Sequence, residues 1–478
     1  MENLLDKANA YVQENASKIP QIFRPNSHLA AETGWMNDPN GFVFYKNEYH
    51  LFYQTNPYGD EWDTMHWGHA KSKDLVHWQY LPMALAPDRP YDERGCFSGS
   101  SIIKDNKIYL MYTGVSEHDG IVRQVQCLAI SNDGVHFEKY EQNPVIAETN
   151  LPEGFDTVDF RDPKLIKHDN TYYAVLATKK QEGDRSHGAI LIFSSIDLIN
   201  WSQGKVLVEG SSDMGIIWEC PDLIQDHDQV ALIVSPMQMP SEGLAYKNIN
   251  SSIYMTGKMN WDDLTFSIDD YHEIDAGLDF YAPQTCLNDK NEVIMTAWMQ
   301  TWGRTNVQHE LNLRWSGQMI LPRKIVLSKH GLKQEIPSEV LEEANDNSEV
   351  ITSRKEDSYL LESNNLISLK KENKKPLEIS FGDDENHNLR VSIDQNRITL
   401  SRKDFGYRIH GEEKETIEER TLEVRDASAL KILIDRSSIE VFIDGKTLSA
   451  TYYVYPELKK CYVKNPTKSE FRIKLSQL

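Results

Sequence analysis

The chain has no run of eighteen apolar residues, few cysteines and far fewer basic than acidic side chains, and each shortage removes a class of protein. Without a long apolar run there is no candidate membrane-spanning helix. The first twenty residues scatter Asp6, Lys7, Glu14 and Lys18 instead of placing a basic start before an apolar core, the pattern of neither a signal peptide nor a membrane span. The five cysteines, Cys96, Cys127, Cys220, Cys286 and Cys461, are odd in number, widely spaced and form no Cys-x-x-Cys. That suits reduced thiols, and the expected location is cytoplasmic. Lys and Arg number 51 against 73 Asp and Glu, a net charge of −22 that argues against nucleic acid or an anionic membrane as partner. His66 and His69 lie close together, but spacing supplies no third ligand, so no metal and no cofactor is expected.

What the sequence does have is a repeat. Five times, about sixty residues apart, a short apolar strand meets a polar turn and a β-branched or aromatic strand follows. The copies begin at Asp38, Ser98, Asp162, Glu219 and Tyr281, and their turns are Lys46-Asn47, Asp105-Asn106, Asp169-Asn170, Asp226 to Asp228, and Asn288 to Asn291. A second motif fills the gap between copies: Ser72-Lys-Asp74-Leu-Val-His-Trp78, Ser131-Asn-Asp133-Gly-Val-His-Phe137 and Ser195-Ile-Asp197-Leu-Ile-Asn-Trp201, with a degraded form at Trp261-Asp262-Asp263-Leu264. Two hairpins per period make a four-stranded unit, and such units arranged radially are propeller blades. Leu4, Leu5, Ala8, Tyr11 and Val12 recur at helical spacing, predicting a short amphipathic helix before the first blade.

The pattern stops near Leu321-Pro-Arg-Lys, and the polar, acidic stretch beginning at Leu341 follows Ile336-Pro337. Beyond it Leu377-Glu-Ile-Ser-Phe, Leu389-Arg-Val-Ser-Ile and Ile398-Thr-Leu alternate as half-buried antiparallel strands do, and Asp444-Gly445 sets a hairpin turn. The expected fold is all-β: a five-bladed β-propeller over residues 1–335, then a C-terminal β-sandwich over 336–478, with the short N-terminal helix. The second unit shows no acid-rich or aromatic site and is read as a stabilising domain packed against the propeller, with a sugar-binding module as the alternative.

Equivalent positions in a propeller lie at equal depth around one channel, so Asp38, Asp162 and Glu219 are expected to converge. Any one of them alone reads as a turn or strand-cap acid; three in register read as a site. Sugar-binding groups surround them: Trp35, Asn37 and Asn40 near Asp38, Arg161 beside Asp162, and Trp218 beside Glu219. Gln54, Trp62, His66, Phe97, Ser98, Trp298 and Trp302 add aromatic faces and hydrogen-bonding groups, whereas Trp78 and Trp201 belong to the repeated outer motif and read as packing. Cleaving a glycosidic bond takes two carboxyls, one to protonate the leaving oxygen and one to attack or to activate water.

Trp35-Met-Asn-Asp-Pro-Asn-Gly41, Phe97-Ser-Gly-Ser100, Arg161-Asp-Pro163, Trp218-Glu-Cys-Pro221, Tyr281-Ala-Pro-Gln284 and Asp435-Arg-Ser-Ser-Ile-Glu-Val-Phe442 together resemble the motif series of glycoside hydrolase family 32, the invertases and fructan hydrolases. The resemblance covers nearly the whole chain and implies a retaining β-fructofuranosidase. It makes Asp38 the nucleophile, Glu219 the acid/base and Asp162 the transition-state stabiliser, with Met36 and Tyr281 joining the substrate contacts. Cys220 resembles a residue that tunes the acid/base, and a small buried filler is an equal reading. Trp218 is expected to cover Glu219 and help keep it protonated.

The His66-Trp-Gly-His69 segment and the two-domain layout resemble sucrose-6-phosphate hydrolases of this family, so a saccharide substrate bearing a phosphate is expected. His66, Lys247, Arg304 and His309 are the candidate phosphate or leaving-group contacts. Asp63-Thr64 depart from the family pattern after Trp62 and put that preference in question. The alternatives are a hydrolase of sucrose or short fructo-oligosaccharides with no phosphate requirement, an arabinan-cleaving relative, a sugar-binding propeller without activity, and transfer of fructosyl to another sugar. Oligomeric state is not constrained by these residues.

Overall fold

A computed structural model describes residues 3–155, 157–226, 229–344, 349–353, 357–360, 365–382, 387–403, 405–413, 417–455, 460–464 and 471–478. The Asp226 to Asp228 turn and the acidic stretch after Ala344 fall partly outside these residues. The chain is all-β with the expected helix, Leu4–Asn15, at its start. Asn3 caps that helix by accepting from the Leu5 and Asp6 amides, and Ala8 and Val12 bury against Met83 of the first sheet. Among the described residues, no helix is long and apolar enough to cross a membrane.

Residues 34–335 form five antiparallel sheets of successive strands. The first runs Gly34–Tyr45, Glu48–Asn56, His66–Ser72 and Gln79–Leu85, with Trp315–Ser316 added in parallel beside Gly34–Tyr45. The others begin with Gly95–Lys104, Phe160–His168, Ile217–Asp226 and Tyr281–Leu287, each followed by three further strands. These five first strands pack side by side in a closed cycle, the fifth returning to the first.

The two repeated motifs are the two turns of each sheet. Lys46-Asn47 and Asp105-Asn106 have both residues at positive φ, which matches the right-handed twist of a tight hairpin. In the other motif Asp74, Asp133 and Asp197 each accept from the amides two and three residues on, while the preceding serine hydroxyl bonds the same aspartate. Leu75, Gly134 and Leu198 take the left-handed conformation at the same point of that turn. In the fourth sheet Asn260 accepts from Asp262 and Asp263, and Leu264 has positive φ, so the degraded copy keeps the shape by a different acceptor.

After the short helix Ser338–Glu343, which stands where a polar boundary was expected, two six-stranded sheets follow. Their facing sides share one apolar core, including Ile367 and Ile432 from one sheet and Ile379, Val391 and Leu400 from the other. The predicted strands are present as Leu377–Phe381, Leu389–Asp394 and Arg397–Ser401, and Asp444-Gly445 turns between Ser438–Ile443 and Lys446–Thr451.

The join with the first five sheets combines apolar contacts, such as Leu433 and Phe442 against Leu29 and Leu321, with buried charge. Arg323 is fully buried and donates to Glu440, Asp275, Gln334, Thr447 and Ser449. Glu440 also faces His28, whose other ring nitrogen meets Asp435. The sixth motif of the sequence, Asp435 to Phe442, therefore serves the seam between the units.

Candidate active site

At the start of every first strand the register with its neighbour slips by one residue: after Met36, Phe97, Arg161, Glu219 and Tyr281. Each slip is a β-bulge, which re-aims side chains at a strand end. It coincides with Pro39, Pro163, Pro221 and Pro283 in four sheets and with Gly99 in the remaining one. The residues before three of these prolines, Asp162, Cys220 and Ala282, have φ of 60°, 47° and 52°. A side-chain-bearing residue held there costs about 1–3 kcal/mol, strain that accumulates at functional sites.

The bulges let two successive residues per strand reach the same place. Cys220, and not Glu219, stands level with Asp162; Glu219 is one residue earlier, level with Arg161 and Tyr281, while Asp38 sits two residues past Met36, the last paired residue before its own slip. The Cys220 Sγ lies 3.7 Å from Asp38 Oδ2 and 3.6 Å from Asp162 Oδ2, and its amide donates to Asp162 Oδ2 at 3.0 Å. Ser98 Oγ donates to Asp38 Oδ2 at 2.9 Å, while Asp38 Oδ1 is buried with no partner. Arg161 places Nε and Nη2 on Glu219 Oε1 at 3.1 and 2.9 Å, and the Tyr281 hydroxyl donates to Glu219 Oε2 at 2.7 Å.

Burial, reinforced by the charges of Asp162 and Glu219, pushes the Asp38 carboxyl up to about 7; Asn37 and Ser98 pull the other way. Burial likewise raises Asp162 to about 6, Arg161 opposing it and Glu219 adding to it. The Cys220 thiol and the Tyr281 phenol are held well above their usual range by burial and the same carboxylates, so both are neutral donors. Asp38 and Asp162, both raised and close enough to act on each other, give up their protons as a pair rather than one by one.

Trp35, Trp298, Trp302, Phe97, Met65 and Tyr281 gather around this cluster with Cys220. Trp35 stacks on Trp302 with centroids 6.2 Å apart, meets Trp298 edge-on at 5.7 Å, and donates from Nε1 to Asn37 Oδ1 at 2.7 Å. The exposed Trp62 meets Phe97 edge-on at 6.0 Å, and the buried Gln54 donates to the Cys96 carbonyl. Trp298 Nε1 and Asn40 Nδ2 are buried without partners, as Asp38 Oδ1 is. Buried polar atoms are nearly always satisfied, so the open Asp38 Oδ1 and Trp298 Nε1 fit a place where a hydroxyl-bearing ligand completes the bonding.

Several expected contacts lie elsewhere. Met36 is fully buried among Leu29, Leu51 and Met319, because neighbours along a strand face opposite ways and Trp35 and Asn37 take the open side. Trp218 packs in the apolar core with Val175, Ile190 and Leu232, and its Nε1 donates to the Met214 carbonyl; it is not a cover for Glu219. Arg304 is not available to a phosphate: its side chain is buried in the seam and bonded to Asp279, Glu413 and Asn248. His309 has Asp60 at 2.9 Å and Glu61 at 3.5 Å, which disfavour an anion. His66 donates from Nδ1 to the Thr64 carbonyl at 3.1 Å, and burial lowers it to about 4, so it is uncharged near neutrality. The backbone carbonyl of Lys247 accepts from Arg420.

Sequence reasoning missed Asp159 and Gln124, which bond Arg161, Thr113, which receives the Asp162 amide, and Met65. Among the described residues, the acidic and histidine side chains close enough to hold a metal are Asp74 and His77, on an outer turn of the first sheet, and Glu343, at the end of the short helix; Asp74 already closes its own turn.

The model of the glycosyl hydrolases family 32 N-terminal domain matches residues 28–336, and that of the family 32 C-terminal region matches 332–474. The sucrose-6-phosphate hydrolase of Bacillus subtilis (strain 168) is 32% identical over 469 residues, 94% of this chain and 93% of that protein. The raffinose invertase of Escherichia coli is 35% identical over 332 residues, 68% of this chain and 67% of that protein. Among solved structures, a GH32 beta-fructofuranosidase of Bombyx mori superposes with a TM-score of 0.87 at 28% identity, covering 99% of this chain and 97% of that one. A sucrose-6-phosphate hydrolase from Lactobacillus gasseri superposes with a TM-score of 0.85 at 25% identity, covering 99% and 96%. Matched along almost its whole length, the chain is a glycoside hydrolase and belongs to glycosyl hydrolase family 32.

Proposed function

We propose that the protein is a retaining β-fructofuranosidase that hydrolyses sucrose 6-phosphate to glucose 6-phosphate and fructose. The observation that carries this is the convergence of Asp38, Asp162 and Glu219, from three different sheets, around one thiol and one guanidinium. The closed cycle of five first strands supports reading residues 1–335 as a five-bladed propeller. The paired six-stranded sheets, and the meeting of the two family models at residues 332–336, support a β-sandwich from 336 onward.

In this reading Asp38 Oδ1, free of hydrogen bonds, attacks C2 of the fructosyl ring while Glu219 gives a proton to the departing glycosidic oxygen. The fructosyl ester on Asp38 then yields to a water deprotonated by Glu219, and the configuration is kept. Arg161 and Tyr281 both donate to Glu219, which holds its carboxyl oriented and stabilises it once ionised. Asp162, anchored by the Cys220 amide and strained at positive φ, is positioned to accept from fructose hydroxyls. Replacing Glu219 by Ala is expected to abolish sucrose hydrolysis but to spare much of the activity on a fructoside whose leaving group needs no proton. Equal loss on both would remove the acid role.

One observation favours a second reading, a hydrolase of sucrose or short fructo-oligosaccharides without a phosphate requirement. Of the four basic residues expected at the leaving group, Arg304 is committed to the seam, His309 sits between carboxylates and His66 is neutral. Measuring kcat/KM for sucrose 6-phosphate, sucrose and a short fructo-oligosaccharide side by side decides between the two. A large preference for the phosphorylated sugar is expected, and equal values would transfer the assignment to the second reading.

A further inference from the structure

A polar cavity of about 260 Å³ lies where residues 21–29, the last strand of the first sheet and the start of the Asp435 motif meet. It shares no residue with the carboxylate cluster. Arg24, His28, Trp78, Tyr80 and Arg436 line it. Arg24 stacks over Trp315, 5.4 Å from its ring, and gives one Nη2 hydrogen bond to the Tyr80 hydroxyl at 2.9 Å; Tyr80 in turn donates to the Ala30 carbonyl. Arg24 Nη1 is buried without an acceptor although Glu32 shares its field, and so is Trp78 Nε1. Both orphans are donors that cannot accept, so no water-free rearrangement between them satisfies either.

Apart from Glu32, which acts on Arg24 through its charge without a hydrogen bond to it, the carboxylates beside the cavity are already engaged. Asp435 receives the amides of Asn26, Ser27 and Arg436 and faces His28, while Glu440 is held by His28 and Arg323. The wall therefore presents the open Nη1 of Arg24 and the Trp78 indole N–H to the cavity, with Arg436 lining it beside them, in a chain whose net charge is −22. A donor-lined space of this kind selects an acceptor-only ligand, and the planar guanidinium fork matches tetrahedral oxyanions.

We propose that this cavity is a second ligand site, which takes a small oxyanion of the phosphate class, either inorganic phosphate or the phosphate of a phosphomonoester, and ties together the three segments that line it. The test uses the full chain in phosphate-free buffer, with binding of inorganic phosphate read by calorimetry and by the shift in Tm. Arg24→Gln and Arg436→Gln are each expected to weaken phosphate binding by about tenfold or more, the loss typical of one charge-assisted contact. Trp78→Phe, which deletes only the N–H, is expected to weaken it by a smaller factor. Hydrolysis of sucrose in the absence of phosphate should be unchanged in all three. If Arg24→Gln fails to fold for want of its stacking on Trp315, the other two variants carry the test. Glucose 6-phosphate competing with inorganic phosphate identifies a phosphomonoester as occupant, and failure to compete assigns the site to the free anion. Absence of phosphate binding by the unaltered protein, or binding that survives Arg436→Gln and Trp78→Phe undiminished, overturns the proposal.

Discussion

Burial and two neighbouring carboxylates raise Asp38 to about 7 from an ordinary value of 3.8. An acid raised in the folded state stabilises the fold in its protonated form: the contribution is complete below pH 3.8 and is lost as pH rises to about 7. The ionised form needed to attack a sugar is therefore the form the fold tolerates least. Asp38→Asn is expected to abolish turnover and, in Tm measured against pH, to draw progressively above the unaltered protein between pH 4 and 7. An active Asp38→Asn protein, or a gap that does not widen, would count against the assignment. The acid limb of kcat/KM should fall near pH 6 to 7, where Asp162 and Asp38 titrate, and Ser98→Ala should move it upward by removing a donor to ionised Asp38. The carboxylates and their aromatic surroundings were legible in the chain because each belongs to a repeated local pattern. Arg304 was misread because a buried, paired guanidinium and a free one have the same letter. Gln124 and Thr113 went unnoticed because they reach the site from second and third strands, where no motif marks them.

The bulge is what turns a strand start into a site, and Gly99 tests it. Where the other four sheets have proline, this one has glycine, and a Cβ there would lie 2.0 Å from the Met111 carbonyl and 2.7 Å from the Tyr112 Cα. Both are backbone atoms of the paired strand and cannot swing aside. Gly99→Ala is expected to force the two strands apart, lower Tm, and reduce kcat through Ser98, its neighbour in sequence and the donor to Asp38. Unchanged Tm and kcat would mean that the bulge is compliant. The hairpin turns and the aspartate turns were readable from sequence because Asn, Asp and Gly at fixed offsets dictate backbone shape locally. The bulge itself was not, and the cost was one residue of register: Met36 was assigned to the open face, and Glu219 was aligned with Asp162 where Cys220 stands. A one-residue slip moves every side chain beyond it to the other face.

The join between the two units buries a charged network, which makes the whole molecule sensitive to pH in a second window. Burial alone would lower His28, but its hydrogen bonds to Asp435 and Glu440 outweigh that and raise it to about 9 from 6.5. A histidine raised in the folded state contributes stability that is complete below pH 6.5 and lost as pH climbs through 9. The Asp38 window closes at about 7, so the two contributions separate along the pH axis. In the Asp38→Asn background, Tm should still fall between pH 7 and 9, and adding His28→Asn should flatten that slope while lowering Tm at pH 6. Glu440→Gln should be more damaging than either, because it leaves both Arg323 and His28 buried without their shared counter-charge. Breaking a buried ion pair from one side costs roughly 3–5 kcal/mol. A Glu440→Gln protein that melts with the unaltered one, or a slope above pH 7 that persists without His28, would show that the seam is held by its apolar contacts and not by this network.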